Sequence, residues 1–357
     1  AEPTLHLDST ENADFQDVDL MLFDKLIVFD AYKQKLILIA GVRTDDLEAS
    51  YERAGCEIQE MVSLLKSGAR AVFKPLRLET KLTPAHNEAE FSRMVEHAKH
   101  HIFEGDIFQV VLSNPLTAKA TGSLFDVYRT LRVLNPSPYM FYFVSDDVEI
   151  AGASPETLAK LENGTLYTFP LAGTRPRGKT EDEDRQLEKE LLADEKEIAE
   201  HNMLVDLGRN DLGRVSEIGS VKVTRYMDIL RYSHVMHIGS TVEGRIAQGK
   251  DALDAIDSVL PAGTLSGAPK LSACAIIQNE ESRKRGIYGG AIGYLDLSGN
   301  MDTCIGIRLA YKKNGTLCIQ SGAGLVADSV PAREYQECIN KAKAMMTAIE
   351  AAKGGLE

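Results

Sequence analysis

The stretch YMFYFVSDDVEIAGASPETLAKLENGTLYTF, residues 139–169, decides the fold class. Its apolar runs are short, rich in β-branched and aromatic residues, and separated by turn signals instead of helices. Asn163-Gly164 is the dipeptide that a two-residue hairpin favours, because both of its positions need a positive φ. The segment therefore reads as an antiparallel meander. The same signal recurs outward from it. Residues 22–41 form two β-rich runs around a polar turn, and IFQVVLSNPL, 107–116, reads as a buried strand. Residues 286–297, 301–311 and 316–321 read as three strands joined by Ser298-Gly299-Asn300 and by Asn314-Gly315. Strands that arrive in hairpins build mainly antiparallel sheets, so the expected class is α+β.

Helical spacing of apolar residues appears over 45–66, over 87–105 with a glycine stop, and over about 332–352. Residues 183–206 read as one long charged helix whose second half, MLVDL, turns inward, and a further helix starts near Pro269, where proline suits a first turn. No repeat, low-complexity segment or linker divides the chain, so residues 1–357 are read as a single catalytic domain.

Composition narrows the function classes. With 40 basic against 53 acidic side chains the net charge is −13, which argues against a nucleic-acid protein and requires any anionic ligand to be met by a local cationic cluster. Hydrophobic residues make up 44%, yet no apolar run is long enough to span a bilayer, so a membrane protein is not expected. Cysteines 56, 274, 304, 318 and 338 are scattered, with no CxxC spacing, which suggests neither a disulfide framework nor a zinc site and fits a reduced, cytoplasmic setting. The opening AEPTLHLDST shows no signal peptide and no initiator Met, which raises a processed or truncated chain.

Several motifs bear chemistry. FPLAGTRPRG, 169–178, reads either as an anion-binding turn or as a polar surface loop. GTLSGAPK, 263–270, and QSGAGLVADS, 320–329, fail the nucleotide fingerprints and read as backbone-donor turns for a smaller anion. Glu197 and Glu200, and likewise Glu334 and Glu337, stand three apart, so each pair presents two carboxylates on one helical face. The repulsion within a pair at a buried margin would be relieved by a hard divalent cation such as Mg²⁺. His234 and His237 lack the glutamate of a zinc-protease motif. Arg308, amid the apolar residues of CIGIRLA, needs a partner, and a ligand carboxylate is a natural one.

Taken together, GDIFQVVLS, NPSPYMFYF, GASPETL, PLAGTRPRG, EHNMLVDLGRND, YSHVMHIGS, LPAGTLSGAPK, RGIYGG, GNMDTCIGIR and GAGLVADSVPAREYQE resemble the chorismate-utilising enzymes, and most closely their anthranilate-forming branch. The resemblance covers about residues 20–350. It implies two large, mainly antiparallel sheets flanked by helices with the active site between them. It implies amination of chorismate at C2 by ammonia and elimination of pyruvate to give anthranilate, the first step of tryptophan biosynthesis. Mg²⁺ would rest on Glu200 and Glu337 with Glu197 and Glu334 in support. Tyr288, Arg308, Lys341 and the backbone around Gly322 and Gly324 would grip the enolpyruvyl carboxylate, while Thr264, Gly173 and Thr174 line the ring. Glu156 would protonate the departing hydroxyl, and His237 would manage the proton lost at C2.

Two positions separate this branch from its relatives by that resemblance. Aminodeoxychorismate-forming relatives carry a nucleophilic lysine where this chain has Ala172, and isochorismate and salicylate synthases carry a lysine base where it has Gln109, which cannot deprotonate water. Aminodeoxyisochorismate synthases share Ala172 and Gln109 and remain an alternative, as does a catalytically dead binding subunit. None of the cysteines sits in a glycine-flanked nucleophile turn, so a separate glutamine amidotransferase subunit is expected as partner. Family members also carry an N-terminal β-rich regulatory segment with a Leu-Leu-Glu-Ser block, absent from this sequence. Pro138, Tyr139, Met140, Gly293 and Tyr294 match the other half of that effector site.

Overall fold

A computed structural model describes residues 15–232, 235–281 and 283–355. They pack as two units, 15–73 and 74–355. In the first, the strands Lys25–Asp30 and Lys35–Ala40 form an antiparallel hairpin that precedes the helix Leu47–Ser67. Leu26, Ile27, Val28 and Phe29 are all exposed, so apolar side chains stand on both faces of this hairpin.

The second unit holds two large antiparallel sheets, as expected. One has seven strands and includes Thr157–Glu162, Thr165–Thr168, Leu171–Pro176, Val235–Arg245 and Met301–Ile305. The other has eight and includes Gln109–Thr121, Tyr139–Val144, Val148–Ser154, Leu309–Lys313 and Thr316–Leu325. Asn163 and Gly164 adopt φ of 51° and 79°, and Asn314 and Gly315 adopt 49° and 69°, so both hairpin turns have the left-handed pairs that their residues favour.

The meander of residues 139–169 is not continuous in space. Its first two strands belong to the eight-stranded sheet and its last two to the seven-stranded one, and the chain changes sheets at Pro155-Glu156. The expected single strand 301–311 breaks in the same way. Met301–Ile305 lies in one sheet and Leu309–Lys313 in the other, with Gly306-Ile307-Arg308 crossing between them. The two crossings run side by side. Ile305 N donates to Glu156 O (3.0 Å), Ala153 N to Arg308 O (3.1 Å), and Ser154 Oγ to Ile305 O (2.7 Å).

The expected helix 183–206 is two helices, Glu181–Ala193 and Glu195–Gly213. Asp194 divides them because its side chain accepts from the backbone N–H groups of Lys196 and Glu197, which starts a new helix. The helix Glu88–Glu104 has a complete capping box from Asn87 and Glu90, and it stops at Gly105 with φ 85°. A helix at Phe125–Leu134 was not expected from the periodicity. With Pro331–Ala351 it covers one face of the eight-stranded sheet, burying Val127, Leu131, Met345 and Ile349 against Leu116, Leu317 and Ile319. A second core, with Leu161, Val205, Leu212, Val242 and Met301, joins the seven-stranded sheet to Glu195–Gly213. Among the described residues no helix is long and apolar enough to cross a membrane.

Candidate active site

Where the sheets part, they enclose a cavity of about 490 Å³, inside the usual range for a small-molecule site. Both crossings open into it. They deliver Glu156 and Arg308, and Arg308 holds a left-handed φ of 53°, a conformation that a long side chain adopts only when its surroundings impose it.

The strand Thr316–Leu325 pairs along one edge with Gln109–Thr121 over its full length, but along the other it pairs with Leu309–Lys313 only as far as Ile319. Beyond that point its open edge borders the cavity at Gln320, Ser321, Gly322 and Gly324. Two glycines are needed here for close approach. A Cβ on Gly322 would stand 2.8 Å from the Tyr288 hydroxyl, and one on Gly324 would stand 2.8 Å from Gln109 Nε2. QSGAGLVADS thus lines the site, as a strand edge and not as a turn. In GTLSGAPK the short helix Gly263–Ser266 contributes Thr264, whereas Lys270 is held away by Asp211 (2.7 Å) and Val259 O (3.1 Å).

Charge is arranged in two groups. Glu197 and Glu200 on one helix, and Glu334 and Glu337 on another, all border the cavity. Burial, followed by repulsion from Glu197, raises the pKa of Glu200, while Gln109, Lys196 and Lys341 act in the opposite sense. Burial and Glu337 likewise raise that of Glu334, against a hydrogen bond from Ser329. Among the described residues no three His, Cys, Asp or Glu side chains gather closely enough to form a metal site by themselves. The cations facing these groups are Arg308, Lys341 and Lys196. Arg308 donates to Lys341 O (2.8 Å), and burial lowers its pKa, so its charge is poorly compensated. Lys341 donates to Gly322 O (3.0 Å) and pairs with Glu337 (2.7 Å). Burial also raises the pKa of Tyr288 well above the phenol range, so it stays a neutral donor.

Glu156 is the group most displaced from its ordinary behaviour. Part of the residue is open to the cavity, but its carboxyl is enclosed by protein, and that burial pushes its pKa up to about 7 against smaller opposing effects of Thr264 and Lys341. The carboxyl therefore holds its proton near neutrality. Thr264 Oγ1 lies close enough to this carboxyl to hold its pKa down, but it is buried without a well-formed hydrogen bond, an arrangement that a ligand would complete. Across the cavity, His237 Nδ1 lies 2.8 Å from Gly173 O and 3.1 Å from Thr174 Oγ1. A carbonyl can only accept, so Nδ1 carries a proton, and in the neutral ring Nε2 is the free nitrogen.

The basic turn FPLAGTRPRG holds carboxylates of its own chain. Residues Leu171–Pro176 form a strand with an irregular register between Ala172 and Arg175. Arg175 pairs with Asp194 (2.8 Å) and Glu197 (3.3 Å), and Arg177 with Asp184 (2.5 Å), so the two arginines of this stretch are held by carboxylates of the same chain and not left for a ligand. Ala172 nevertheless borders the cavity and Gly173 reaches it through His237.

The site residues expected from sequence thus converge, Glu156, Thr174, Glu197, Glu200, His237, Thr264, Tyr288, Arg308, Gly322, Gly324, Glu334, Glu337 and Lys341 all bordering one cavity. His234 lies outside the described residues. Lys196 and Gln320 were not anticipated. Lys196 lies beside Glu197 at a helix start, where a lysine is ordinarily a solvated residue, and nothing local marks it. Pro138, Tyr139, Met140, Gly293 and Tyr294 do not border the cavity. Tyr139 and Gly293 stand on edge strands of the two sheets, and the Tyr139 hydroxyl donates to Asp302 (2.8 Å), which lies opposite Tyr294 in the register.

A sequence profile of the chorismate binding enzymes matches residues 1–347. Anthranilate synthase component 1 of Acetivibrio thermocellus is 48% identical over 360 residues, covering 97% of this chain and 73% of that protein. The Aquifex aeolicus protein of the same name is 46% identical, covering 96% and 70%. The crystal structure of anthranilate synthase component I from Streptococcus pneumoniae superposes with a TM-score of 0.81 at 43% identity, over 90% of this chain and 72% of that one. The menaquinone-specific isochorismate synthase of Escherichia coli gives 0.72 at 25% identity, over 83% and 69%.

Proposed function

This chain belongs to the chorismate binding enzyme family, and from that premise we propose that it converts chorismate and ammonia to anthranilate and pyruvate. The observation that carries the reading is Glu156, a carboxyl protonated near neutral pH in a cavity whose wall has alanine at 172 and glutamine at 109. Such a site can donate a proton to a leaving hydroxyl but has no lysine at either position with which to capture the ring or activate water. Ammonia is already nucleophilic and needs neither.

In the proposed reaction ammonia forms the new bond at C2 while the bond to the C4 hydroxyl breaks, and Glu156 gives that hydroxyl its proton so that it departs as water. His237 Nε2 then takes the proton from C2 as the C3–O bond breaks, the ring becomes aromatic, and the enolpyruvate released is protonated on its methylene carbon to give pyruvate. Arg308, Tyr288, Lys341 and the strand edge at Gly322 and Gly324 hold the substrate carboxylate. Gly173, Thr174 and Thr264 bound the ring.

The carboxylate pairs fit a hard divalent cation. Glu200 and Glu334 are both part-buried beside a second carboxylate, and their raised pKa values express burial first and repulsion after it, both of which a bound cation would offset. Mg²⁺ held by Glu200 and Glu337, with Glu197 and Glu334 behind them, would polarise the ring carboxylate. We assign the activity to the lyases on this basis. The ammonia would come from a glutamine amidotransferase subunit, because Cys304, Cys318 and Cys338 are buried, poorly nucleophilic thiols and Cys56 lies within a helix instead of a nucleophile turn. Burial raises Cys304 to about 11 and Cys338 to about 12, and it raises Cys318 as well.

Mass spectrometry of the products from chorismate, ammonium and Mg²⁺ tests the reading. Anthranilate and pyruvate in equal amounts are expected, with none formed when glutamine replaces ammonium. Accumulation of aminodeoxyisochorismate without pyruvate would assign the chain to the alternative branch.

A further inference from the structure

Behind the cavity wall lies an ion pair that the proposed chemistry does not use. Glu281 ends the helix Lys270–Glu281 and is 3% exposed, and Arg285, four residues on, is part-buried. Arg285 Nε and Nη2 form a two-pronged contact with its carboxylate, at 2.9 and 2.5 Å. A buried pair of this kind gives no assured stability over an apolar equivalent. What it touches is more informative.

Arg285 Nη1 donates to Leu265 O (2.5 Å), the carbonyl following Thr264, and Nη2 donates to Val111 O (2.6 Å) in the strand that carries Gln109. Its guanidinium lies 5.7 Å from the centre of the Tyr288 ring. Glu281 accepts from both the backbone N–H and the hydroxyl of Ser113, at 2.7 and 2.9 Å, and Ser113 Oγ in turn accepts from Gln320 Nε2 (2.7 Å). Leu265, Val111, Tyr288 and Gln320 come from four separate segments, and all four border the cavity. Arg285 spends its donors on protein acceptors, so it does not serve as a ligand contact.

We propose that the Glu281–Arg285 pair is a positioning element for the reaction, fixing Thr264 beside Glu156 through Leu265 and fixing Gln320 through Ser113. The inference rests on the proposed activity for its kinetic consequence and on geometry alone for its structural one. A planar guanidinium can grip two carbonyls and a carboxylate at fixed angles, which an ammonium cannot. Arg285→Lys therefore retains the charge and loses the alignment.

The test combines steady-state kinetics with a turnover-free readout. In Arg285→Lys, kcat should fall about a hundredfold with KM for chorismate nearly unchanged, the size of effect expected from misplacing a reacting group. The Glu156 carboxyl, followed by NMR of protein carrying ¹³C-carboxyl glutamate and assigned with Glu156→Gln, should titrate above its wild-type value. The reason is that the Thr264 hydroxyl holds the value down, and Lys341, the other group doing so, is untouched. An unchanged kcat and titration, or a loss of kcat that follows a fall in Tm with Glu156 unmoved, would overturn the proposal. If the wild type forms no anthranilate yet the Glu156 titration still moves in Arg285→Lys, the assigned activity fails and the positioning role stands. Should Arg285→Lys not fold, Ser113→Ala isolates the Gln320 arm without stranding a charge. It should raise KM about tenfold at constant kcat, about 1.4 kcal/mol of ground-state binding, and an unchanged KM would remove that arm.

Discussion

Two arginine-bearing segments, PLAGTRPRG and CIGIRLA, both offer cations to an anion, and the molecule uses them in opposite ways. Arg175 and Arg177 are turned onto Asp194, Glu197 and Asp184, carboxylates that start or flank helices of the same chain. Arg308 lies where the chain changes sheets, and its hydrogen bond among the described residues is to a backbone carbonyl, Lys341 O. Burial lowers its pKa, which is the mark of a cation that would be better held with an anion beside it. A positive charge is available to a ligand only to the extent that the chain's own carboxylates leave it unsatisfied.

The comparison is easiest to break at Arg308. Arg308→Met should lower kcat/KM for chorismate about a thousandfold, or ~4 kcal/mol, in a protein whose Tm is little changed. A loss below tenfold would mean that the buried cation is not reserved for substrate.

Glu156 sharpens it from the other side of the crossing. Glu156→Gln should lower kcat about a hundredfold. In the wild type kcat should decline as pH rises through about 7, since the acid must be protonated, and that limb should vanish in the variant. Stability gives an independent reading. The folded pKa of about 7 lies above the ordinary 4.5, so the protonated carboxyl's contribution is complete below pH 4.5 and is lost as pH rises towards 7. Over that window Glu156→Gln should gain about 2–4 °C in Tm on the wild type. Parallel Tm profiles would show that the carboxyl is not held in its neutral form.

Arg177→Gln should have the smallest effect. Its kcat and KM should stay within about twofold of wild type, with Tm lower by about a degree, because the pair is partly solvated. Arg177 holds the Asp184 carboxyl below its usual range, so the Tm difference should fade as pH drops through that range. A large kinetic defect would place this turn in the binding site after all.

What the sequence determined by itself was local. The Asn163-Gly164 and Asn314-Gly315 turns, the glycine stop at Gly105 and the two i, i+3 glutamate pairs are set by interactions within a few residues, and each is present. The resemblance to chorismate-utilising enzymes placed the cavity's charged residues apart from Lys196, but it could not say how they are held. Only the tertiary structure decided that the runs 139–169 and 301–311 each change sheets. The apolar pattern of a run does not say which sheet each of its strands joins, and the partners that hold the crossing, Ile305 to Glu156 and Ala153 to Arg308, are about 150 residues apart in the chain. The same holds for Asp194, whose division of one expected helix depends on its side chain turning to cap the next, and for Arg285, whose acceptors at Val111 and Leu265 meet only after two elements have packed. Short-range geometry can be read from neighbouring residues. Which charge is satisfied and which is left for a ligand depends on groups that folding alone brings within reach.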